Sequence, residues 1–218
     1  MLKVGNLDVK WLGHAGFKVS GEKVAYIDPY VLDSNERNAD LILITHEHYD
    51  HCDKSKIKQL IYEGTHIIAS EGCEGKLLEL DGKISNKIVI LGAGEESNLL
   101  NLKVTAVPAY NLNKNYHPRG SGVGYVLEME GKKLYFSGDT DFIPEMKNFA
   151  TLHIDAAFVP VGGKYTMNAE EAAEAVKVIK PKIAVPMHYG KIIGGKKDAE
   201  KFRRLVGSAC KVVVMGKG

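Results

Sequence analysis

The densest group of chemically capable residues in this chain is a run of six that holds three histidines and two carboxylates. It reads His46-Glu47-His48-Tyr49-Asp50-His51. In an extended segment residues two apart point to the same side, so His46 and His48 can bind one cation. The turn at Asp50 and His51 then faces a second cation. Imidazole and carboxylate suit zinc, manganese or iron(II), and a position left open to water makes such a site catalytic. The alternative, a polar surface loop with coincidental histidines, is disfavoured by the density of the run.

A buried strand is predicted to position this run. Leu41-Ile42-Leu43-Ile44 is a continuous apolar segment, typical of a strand covered on both faces, and it stops at Thr45. After the run, Ile57, Leu60 and Ile61 recur at helical spacing. The polar residues therefore begin at a strand end and lie just before a helix.

Two later strand ends also carry residues that bind metals. Ser137-Gly138-Asp139-Thr140 follows the predicted strand Leu134–Phe136. Pro186-Met187-His188-Tyr189 ends the predicted strand Ile183–Val185. Taken alone, the first segment is more often a turn with a helix cap, and a lone histidine at a strand end is more often structural.

The pattern H-x-H-x-D-H, placed between a strand and a helix, resembles the signature of the metallo-β-lactamase superfamily, and the resemblance covers nearly the whole chain. It implies that Asp139 bridges two metal ions and that His188 completes the second of them. Three further segments are similar to the lactonase-like branch of that superfamily, which includes ascorbate-6-phosphate lactonase. They are Gly13-His14-Ala15, Ile27-Asp28-Pro29 and the run Val161–Met167.

The chain departs from the family pattern at one ligand. Most members supply a third histidine for the first metal from a strand end in mid-chain, where this chain has Pro108-Ala109-Tyr110-Asn111. His117 follows in a loop that can fold back, so we predict it as the ligand, with Asn111 as the alternative. His14 and Asp28 are expected to hydrogen-bond to ligands rather than bind metal. For His14, a buried and satisfied core histidine is the alternative.

The order of elements predicts an α/β fold. A meander of short strands opens the chain and α/β alternation follows; strands then dominate from Lys87 to Phe136, and alternation returns from Ala156. This order predicts two similar halves, each a sheet with helices on its outer face, packed as a four-layer αβ/βα sandwich. The family resemblance implies the metallo-β-lactamase fold. Because no linker composition interrupts the pattern, we expect one domain over residues 1–218.

Composition narrows the choice of partners. The 29 basic residues nearly balance 27 acidic ones, which argues against binding to nucleic acid or an anionic membrane. No apolar run approaches the roughly 20 residues needed to span a bilayer, and the first residues do not form a signal peptide. Three cysteines without C-x-x-C spacing fit a reducing compartment. We expect a cytoplasmic protein that binds a small-molecule substrate, with a homo-oligomer left open.

The predicted function is that of a metal-dependent hydrolase. Two divalent metal ions, zinc first and manganese or iron as alternatives, activate a shared water. Asp50 binds the second ion and orients the water or accepts its proton. The predicted substrate is a small anionic ester or lactone, because Lys114, Arg119 and Lys164 lie near the motifs, although solvated surface charge is the alternative for each. The competing functions are a phosphodiesterase or nuclease, and a metal-binding sensor or redox protein that hydrolyses nothing.

Overall fold

The computed structural model describes residues 1–32, 36–78, 80 and 87–216, whose strands form two sheets. The first sheet follows chain order: β1 (Leu2–Val4), β2 (Leu7–Gly13), β3 (Gly16–Ser20), β4 (Val24–Ile27), β5 (Leu41–Ile44), β6 (His66–Ala69) and β7 (Ile88–Ile90). It is antiparallel from β1 to β4 and parallel from β4 to β7. The meander and the α/β alternation of the first half therefore share one sheet.

The second sheet repeats this design with the later strands. Its strands, again adjacent in chain order, are β8 (Glu96–Leu99), β9 (Leu102–Ala109), β10 (Gly122–Met129), β11 (Lys132–Phe136), β12 (Ala156–Pro160), β13 (Ile183–Met187) and β14 (Lys211–Val212). It is antiparallel from β8 to β11 and parallel from β11 to β14. The predicted division into two similar halves is confirmed.

Helices cover the outer face of each sheet. They are α1 (Lys54–Leu60), α2 (Glu74–Leu77), α3 (Ala169–Ile179), α4 (Lys196–Val206) and a 3-10 segment (Pro144–Leu152). Ile42 of β5 packs in one apolar cluster with Ile57 and Leu60 of α1. Between the sheets, the ring of Phe17 in β3 lies 4.6 Å from that of Phe158 in β12, centroid to centroid. The layers thus run helix, sheet, sheet, helix, and the predicted α/β class is confirmed.

Helix α3 shows how local sequence sets an element's bounds. The side chain of Asn168 accepts a hydrogen bond from the backbone N–H of Glu171 at 2.9 Å, and Glu171 accepts one from Asn168 in return. This capping box begins the helix. Lys180 ends it in the left-handed conformation, and Pro181 follows, which cannot continue a helix.

The two sheets meet where the end of β5 approaches the start of β10, and both are internal strands of their sheets. The backbone N–H of Val123 donates to the carbonyl oxygen of Thr45 at 2.9 Å, and His46 forms a β-bridge with Gly122. A Cβ on Gly122 would lie 2.7 Å from that of His46, so this approach requires glycine. The end of β5 is thereby fixed against the second sheet.

Among the helices of the described residues, none has both the length and the hydropathy that a membrane crossing requires.

Candidate metal centre

The first cluster of ring nitrogens joins His46, His48 and His117. His46 follows β5, His48 lies in the next turn, and His117 comes from the loop between β9 and β10. The Nδ1 atom of His48 lies 3.1 Å from Nε2 of His46 and 3.1 Å from Nε2 of His117. In a neutral imidazole one ring nitrogen carries a lone pair, and three such nitrogens that face one another can all bind one cation, whereas a single proton can bridge only two of them. These three side chains can hold one metal ion.

Asn111 fixes the orientation of His117. Its side-chain oxygen accepts a hydrogen bond from the backbone N–H of His117 at 3.0 Å and lies 3.1 Å from that residue's Nδ1. Its amide nitrogen donates to Asp141 and to the carbonyl oxygen of Tyr165, which can only accept. The oxygen must therefore face His117, so Nδ1 carries the proton and Nε2 keeps its lone pair. The structure brings His117 into the cluster, whereas Asn111 contacts it from behind.

The second cluster contains Asp50, His51 and His188, with His14 beside it. One Asp50 oxygen lies 3.7 Å from Nε2 of His51 and 3.8 Å from Nε2 of His188. The same oxygen lies 2.8 Å from Nε2 of His14. All four side chains are buried. They form a second set of ligand atoms close enough to share one ion.

Asp139 lies between the two clusters. One of its carboxylate oxygens is 3.3 Å from Nε2 of His117 and 3.0 Å from Nε2 of His188. The other is 3.4 Å from Nε2 of His51. A single buried carboxylate, placed just after β11, therefore contacts ligand candidates from both clusters.

Several of these atoms have no partner of normal hydrogen-bond geometry. They are Nε2 of His51, one oxygen of Asp139 and Nε2 of His188. A buried polar atom left without a partner costs about 1–3 kcal/mol, and native proteins contain few. Here they converge on one space with nitrogen and oxygen donors, the set that zinc, manganese and iron(II) accept. The residues therefore fit divalent metal ions.

Asp28 supports His51 from outside the cluster. Its carboxylate lies 2.7 Å from Nδ1 of His51 and accepts hydrogen bonds from the backbone N–H and the hydroxyl of Thr45 at 2.8 and 2.7 Å. With its Nδ1 proton directed at Asp28, His51 presents Nε2 to the centre. Asp28 hydrogen-bonds to His51 and His14 to Asp50, as the sequence analysis expected, and His14 also lies close enough to share an ion with the second cluster.

Three residues of this site adopt the left-handed backbone conformation. His14, Asp28 and His188 adopt φ angles of 55°, 44° and 58°, a region that costs a residue with a Cβ about 1–2 kcal/mol. The strain is held by bonds to the carbonyl oxygen of His14, which accepts from the backbone N–H of His188 at 2.9 Å and from the indole of Trp11 at 3.0 Å. The backbone conformation that orients these three side chains therefore lowers the stability of the fold.

The two clusters differ electrostatically. Burial and the neighbouring His51 hold the pKa of His46 well below its usual value. Burial also disfavours a charged His51, yet the carboxylates of Asp139 and Asp28 outweigh it and raise the His51 pKa well above normal. For Asp139, the attraction of His188 and His51 overcomes burial and lowers its pKa well below normal. The pKa shifts of His46 and His51 therefore run in opposite directions, because carboxylates surround only the second of these rings.

A cleft of about 230 Å³ opens over both clusters. Besides His48, Asp50, His117, Asp139 and His188, its lining consists of Tyr49, Tyr116, Tyr165 and Ile192. Sequence analysis did not single out this aromatic wall. The available signal was proximity, because Tyr49 lies within the histidine run and Tyr116 directly precedes His117.

Of the three basic residues expected to hold an anionic substrate, two pair with carboxylates of the chain and the third is exposed. The ammonium of Lys114 pairs with Asp141, and the guanidinium of Arg119 pairs with Glu145. Lys164 is exposed, and its ammonium lies 5.0 Å from the ring centroid of Tyr165. None of the three lines the cleft. The loops that carry Lys114 and Arg119 use these charges to anchor themselves, which is a tertiary effect that sequence proximity could not show.

Comparisons with known proteins show the family and the fold of this chain. A family profile described as a beta-lactamase superfamily domain matches residues 8–188. A UPF0173 metal-dependent hydrolase of Thermococcus onnurineus is 34% identical over 220 residues, covering 96% of each chain. A solved structure from Parabacteroides distasonis, named as a metal-dependent hydrolase, superposes with a TM-score of 0.82 at 35% identity, covering 95% of this chain and 92% of the other. Igni18, a metallo hydrolase of Ignicoccus hospitalis, gives a TM-score of 0.80 at 26% identity, covering 97% and 96%.

Proposed function

We propose that this chain, which belongs to the metallo-β-lactamase superfamily and within it to the UPF0173 metal-dependent hydrolases, cleaves a small ester or lactone with water activated by two divalent metal ions. The observation that carries the proposal is the position of Asp139. One of its oxygens lies 3.3 Å from Nε2 of His117 and 3.0 Å from Nε2 of His188, so one carboxylate can join ions held by the two clusters.

In this proposal each cluster would hold one ion, and Asp139 would contact both. His46, His48 and His117 would hold the first ion, and Asp50, His51 and His188 the second. Zinc is the ion we favour, with manganese and iron(II) as alternatives that the same ligand types accept. Asp28 and Asn111 fix the ring orientations of His51 and His117, as partners of metal-bound imidazoles usually do.

Asp50 is the residue we assign to proton transfer. Burial opposes its ionisation, but its hydrogen bond with His14 and the nearby His51 hold its pKa below the usual value, so it is ionised at neutral pH. When bound, two such ions would supply a water of lowered pKa and positive charge beside the attacked carbon. Asp50 would take a proton from that water as the water oxygen bonds to the carbonyl carbon, and would pass it to the leaving alkoxide oxygen as the ester C–O bond breaks.

A small molecule is the partner that we propose. The cleft of about 230 Å³ is smaller than the roughly 300–1,000 Å³ typical of sites for drug-sized ligands. The anionic character expected of the substrate loses the support of Lys114 and Arg119, since both pair with carboxylates of the chain. The three cysteines are free thiols, in keeping with the cytoplasmic location that is also part of this proposal.

A phosphodiesterase is the second candidate, and one observation favours it. A separate cavity adjoins the cleft through Tyr49 and is lined by Lys54, Lys58 and Lys76. Lysines beside a two-metal centre suit a phosphate-containing substrate. Because they lie outside the cleft itself, we rank this function below ester hydrolysis.

The test is turnover by protein reconstituted separately with zinc, manganese and iron(II). A panel of lactones and carboxylic esters is assayed beside bis-p-nitrophenyl phosphate, with Asp139→Asn protein as the matched control. We expect hydrolysis of at least one lactone or ester that the control lacks. Turnover of the phosphodiester alone would favour the second candidate. Bound metal without any hydrolysis, together with an optical spectrum of iron, would instead indicate a sensor or redox protein.

A further inference from the structure

We propose that the substrate carries an uncharged aromatic ring next to its scissile ester, and that Tyr49, Tyr116 and Tyr165 form the subsite for this ring. The inference rests on the proposed ester hydrolysis and names the class of substrate. It follows from the position, geometry and charge of the cleft wall.

The position of the wall relates it to the reacting bond. The same cleft is lined by His48, His117 and Asp139, so a carbonyl placed against these residues shares its cleft with the three tyrosines. Ile192 is the other lining residue and adds aliphatic surface. A group attached close to the ester therefore meets three rings and one aliphatic side chain.

Each of the three rings contacts another aromatic ring edge to face. Tyr116 and Tyr165 meet with centroids 4.7 Å apart and planes at 89°. Tyr49 contacts Tyr30 in the same manner, at 5.8 Å and 84°. Aromatic pairs favour edge-to-face and offset-stacked geometries, so a substrate ring can extend this arrangement.

Their exposure is unusual for aromatic side chains. Tyr49 is 62% exposed and Tyr116 is 45% exposed, although most large apolar side chains of the described residues are buried. Clustered exposed apolar surface at a concave site is typical of ligand binding. A ring inserted beside Tyr116 would cover surface that the fold leaves open to water.

Charge argues against an anionic group in this subsite. Among the residues that line the cleft in the described part of the chain there is no lysine or arginine. Lys114 and Arg119 already pair with Asp141 and Glu145. The ammonium of Lys164 lies 5.0 Å from the ring centroid of Tyr165, but Lys164 is exposed and does not line the cleft. An anion placed among the tyrosines would therefore give up its hydration for a solvated cationic partner outside the cleft, whereas a neutral ring gives up little.

The experiment compares methyl esters that share one leaving group. Methyl hydrocinnamate has a phenyl ring, methyl cyclohexanepropanoate replaces it with a saturated ring, and monomethyl adipate has an anionic end. We expect the kcat/KM of the metal-loaded protein to be roughly threefold to tenfold higher for the phenyl ester than for the cyclohexyl ester, the range that an aromatic pair contributes beyond buried area. The anionic ester should be the poorest substrate.

Two variants test whether Tyr116 provides this preference. Tyr116→Leu should bring the phenyl-to-cyclohexyl ratio of kcat/KM close to one, whereas Tyr116→Phe keeps the ring and should keep the ratio. Calorimetry then compares the binding of hydrocinnamamide with that of cyclohexanepropanamide, the amides that correspond to the phenyl and cyclohexyl esters. We expect the phenyl amide to bind more tightly, without any need for turnover.

The outcomes separate this inference from the proposed function. Ester hydrolysis with a ratio near one, or with the anionic ester preferred, overturns the aromatic subsite and leaves ester hydrolysis standing. No hydrolysis of any ester but tighter binding of the phenyl amide, lost in Tyr116→Leu, overturns the proposed function and supports the subsite. Equal binding of both amides overturns the subsite in either case.

Discussion

The two halves of the molecule share a scaffold down to single hydrogen bonds. Asp40, just before β5, accepts a hydrogen bond from the backbone N–H of Val24 at 2.8 Å; Asp155, just before β12, accepts one from that of Lys133 at 3.0 Å. Each aspartate also donates its own N–H to the carbonyl of that neighbour at 2.9 Å. Each accepts at its carbonyl from the residue that opens the next strand, at 2.9 Å for β6 and 3.0 Å for β13.

The chemistry is not shared in this way. In the first half the ligand candidates follow β5, the strand after Asp40, and are packed into His46–His51. In the second half β12 is the equivalent strand, but Asp139 follows β11 and His188 follows β13. The comparison teaches that the scaffold sets where strands end, whereas the residues placed at those ends decide the chemistry. Neither half can form the proposed centre alone.

The largest effect should come from removing the carboxylate that joins the halves. Asp139→Ala should lower kcat/KM on the order of a thousandfold or more, because it removes an anion that balances two ions and holds them in place. The fold should persist, since Asp139 follows its strand rather than lying within it. Kinetics and thermal unfolding by circular dichroism check this. Asp155→Asn, in the scaffold of the same half, is the control and should retain turnover.

Wild-type turnover by folded Asp139→Ala protein with a full metal complement would break the comparison. It would mean that the halves act without the carboxylate that connects them.

The next effect separates His117 from Asn111. His117→Ala should lose one of two bound ions, because its Nε2 faces the first cluster. Asn111→Ala should keep both ions with about 10–100-fold weaker affinity for one of them, the usual cost of losing a partner behind a metal-bound histidine. Metal content and competition titrations measure both. The reverse ranking would show that Asn111, and not His117, is the ligand.

Chelation should release the two ions in sequence. The first cluster includes the half-buried His48, whereas Asp50, His51 and His188 of the second are all buried. Local opening is easier where fewer contacts hold a segment, so the first cluster should release its ion first. After mixing with a chelator, metal release over time should show two phases in the native protein and only the slower phase in His117→Ala. Two ions lost together in both proteins would contradict this.

The smallest effects should come from the scaffold and should be alike in both halves. Asp40→Asn and Asp155→Asn should each reduce the free energy of unfolding by about 1–2 kcal/mol, because a charged acceptor for a backbone N–H is lost. Denaturant unfolding of metal-free protein measures this. A clearly unequal pair would show that the matching hydrogen bonds do not mark equivalent roles.

The pKa shifts of these two carboxylates determine how the free energy of unfolding changes with pH. Burial opposes ionisation at each, but the Val24 N–H at Asp40 and Lys182 at Asp155 hold both pKa values below the usual 3.8. The unfolded chain therefore takes up protons first as pH falls. Their contribution is present above about pH 4 and is lost below it, as pH falls through the lowered values. The difference between native protein and each Asn variant should shrink in that acidic window.

The sequence was sufficient wherever local residues decide the structure. The apolar run Leu41–Ile44 and the histidine run were both identified because neighbours along the chain determine them. Strand β8 was not predicted, since Glu96–Leu99 is polar, lacks clear alternation and owes its conformation to pairing with β9.

The sequence predicted less of the site, because the residues of the site come from distant parts of the chain and meet only in the folded structure. Asp139 and His188 became candidates through a family resemblance, and their approach within 3.0 Å depends on the packing of two strand ends. The contact of Asn111 with His117 and the pairing of Lys114 with Asp141 depend on loop conformation. No spacing rule predicts contacts of that kind.

The most direct test of the central claim is the metal content of the purified protein after reconstitution, measured by elemental analysis against protein concentration. The account predicts about two divalent ions per chain in the native protein and about one in His117→Ala, because the two halves together form two clusters joined by Asp139. One ion per chain in the native protein, unchanged in His117→Ala, would contradict it.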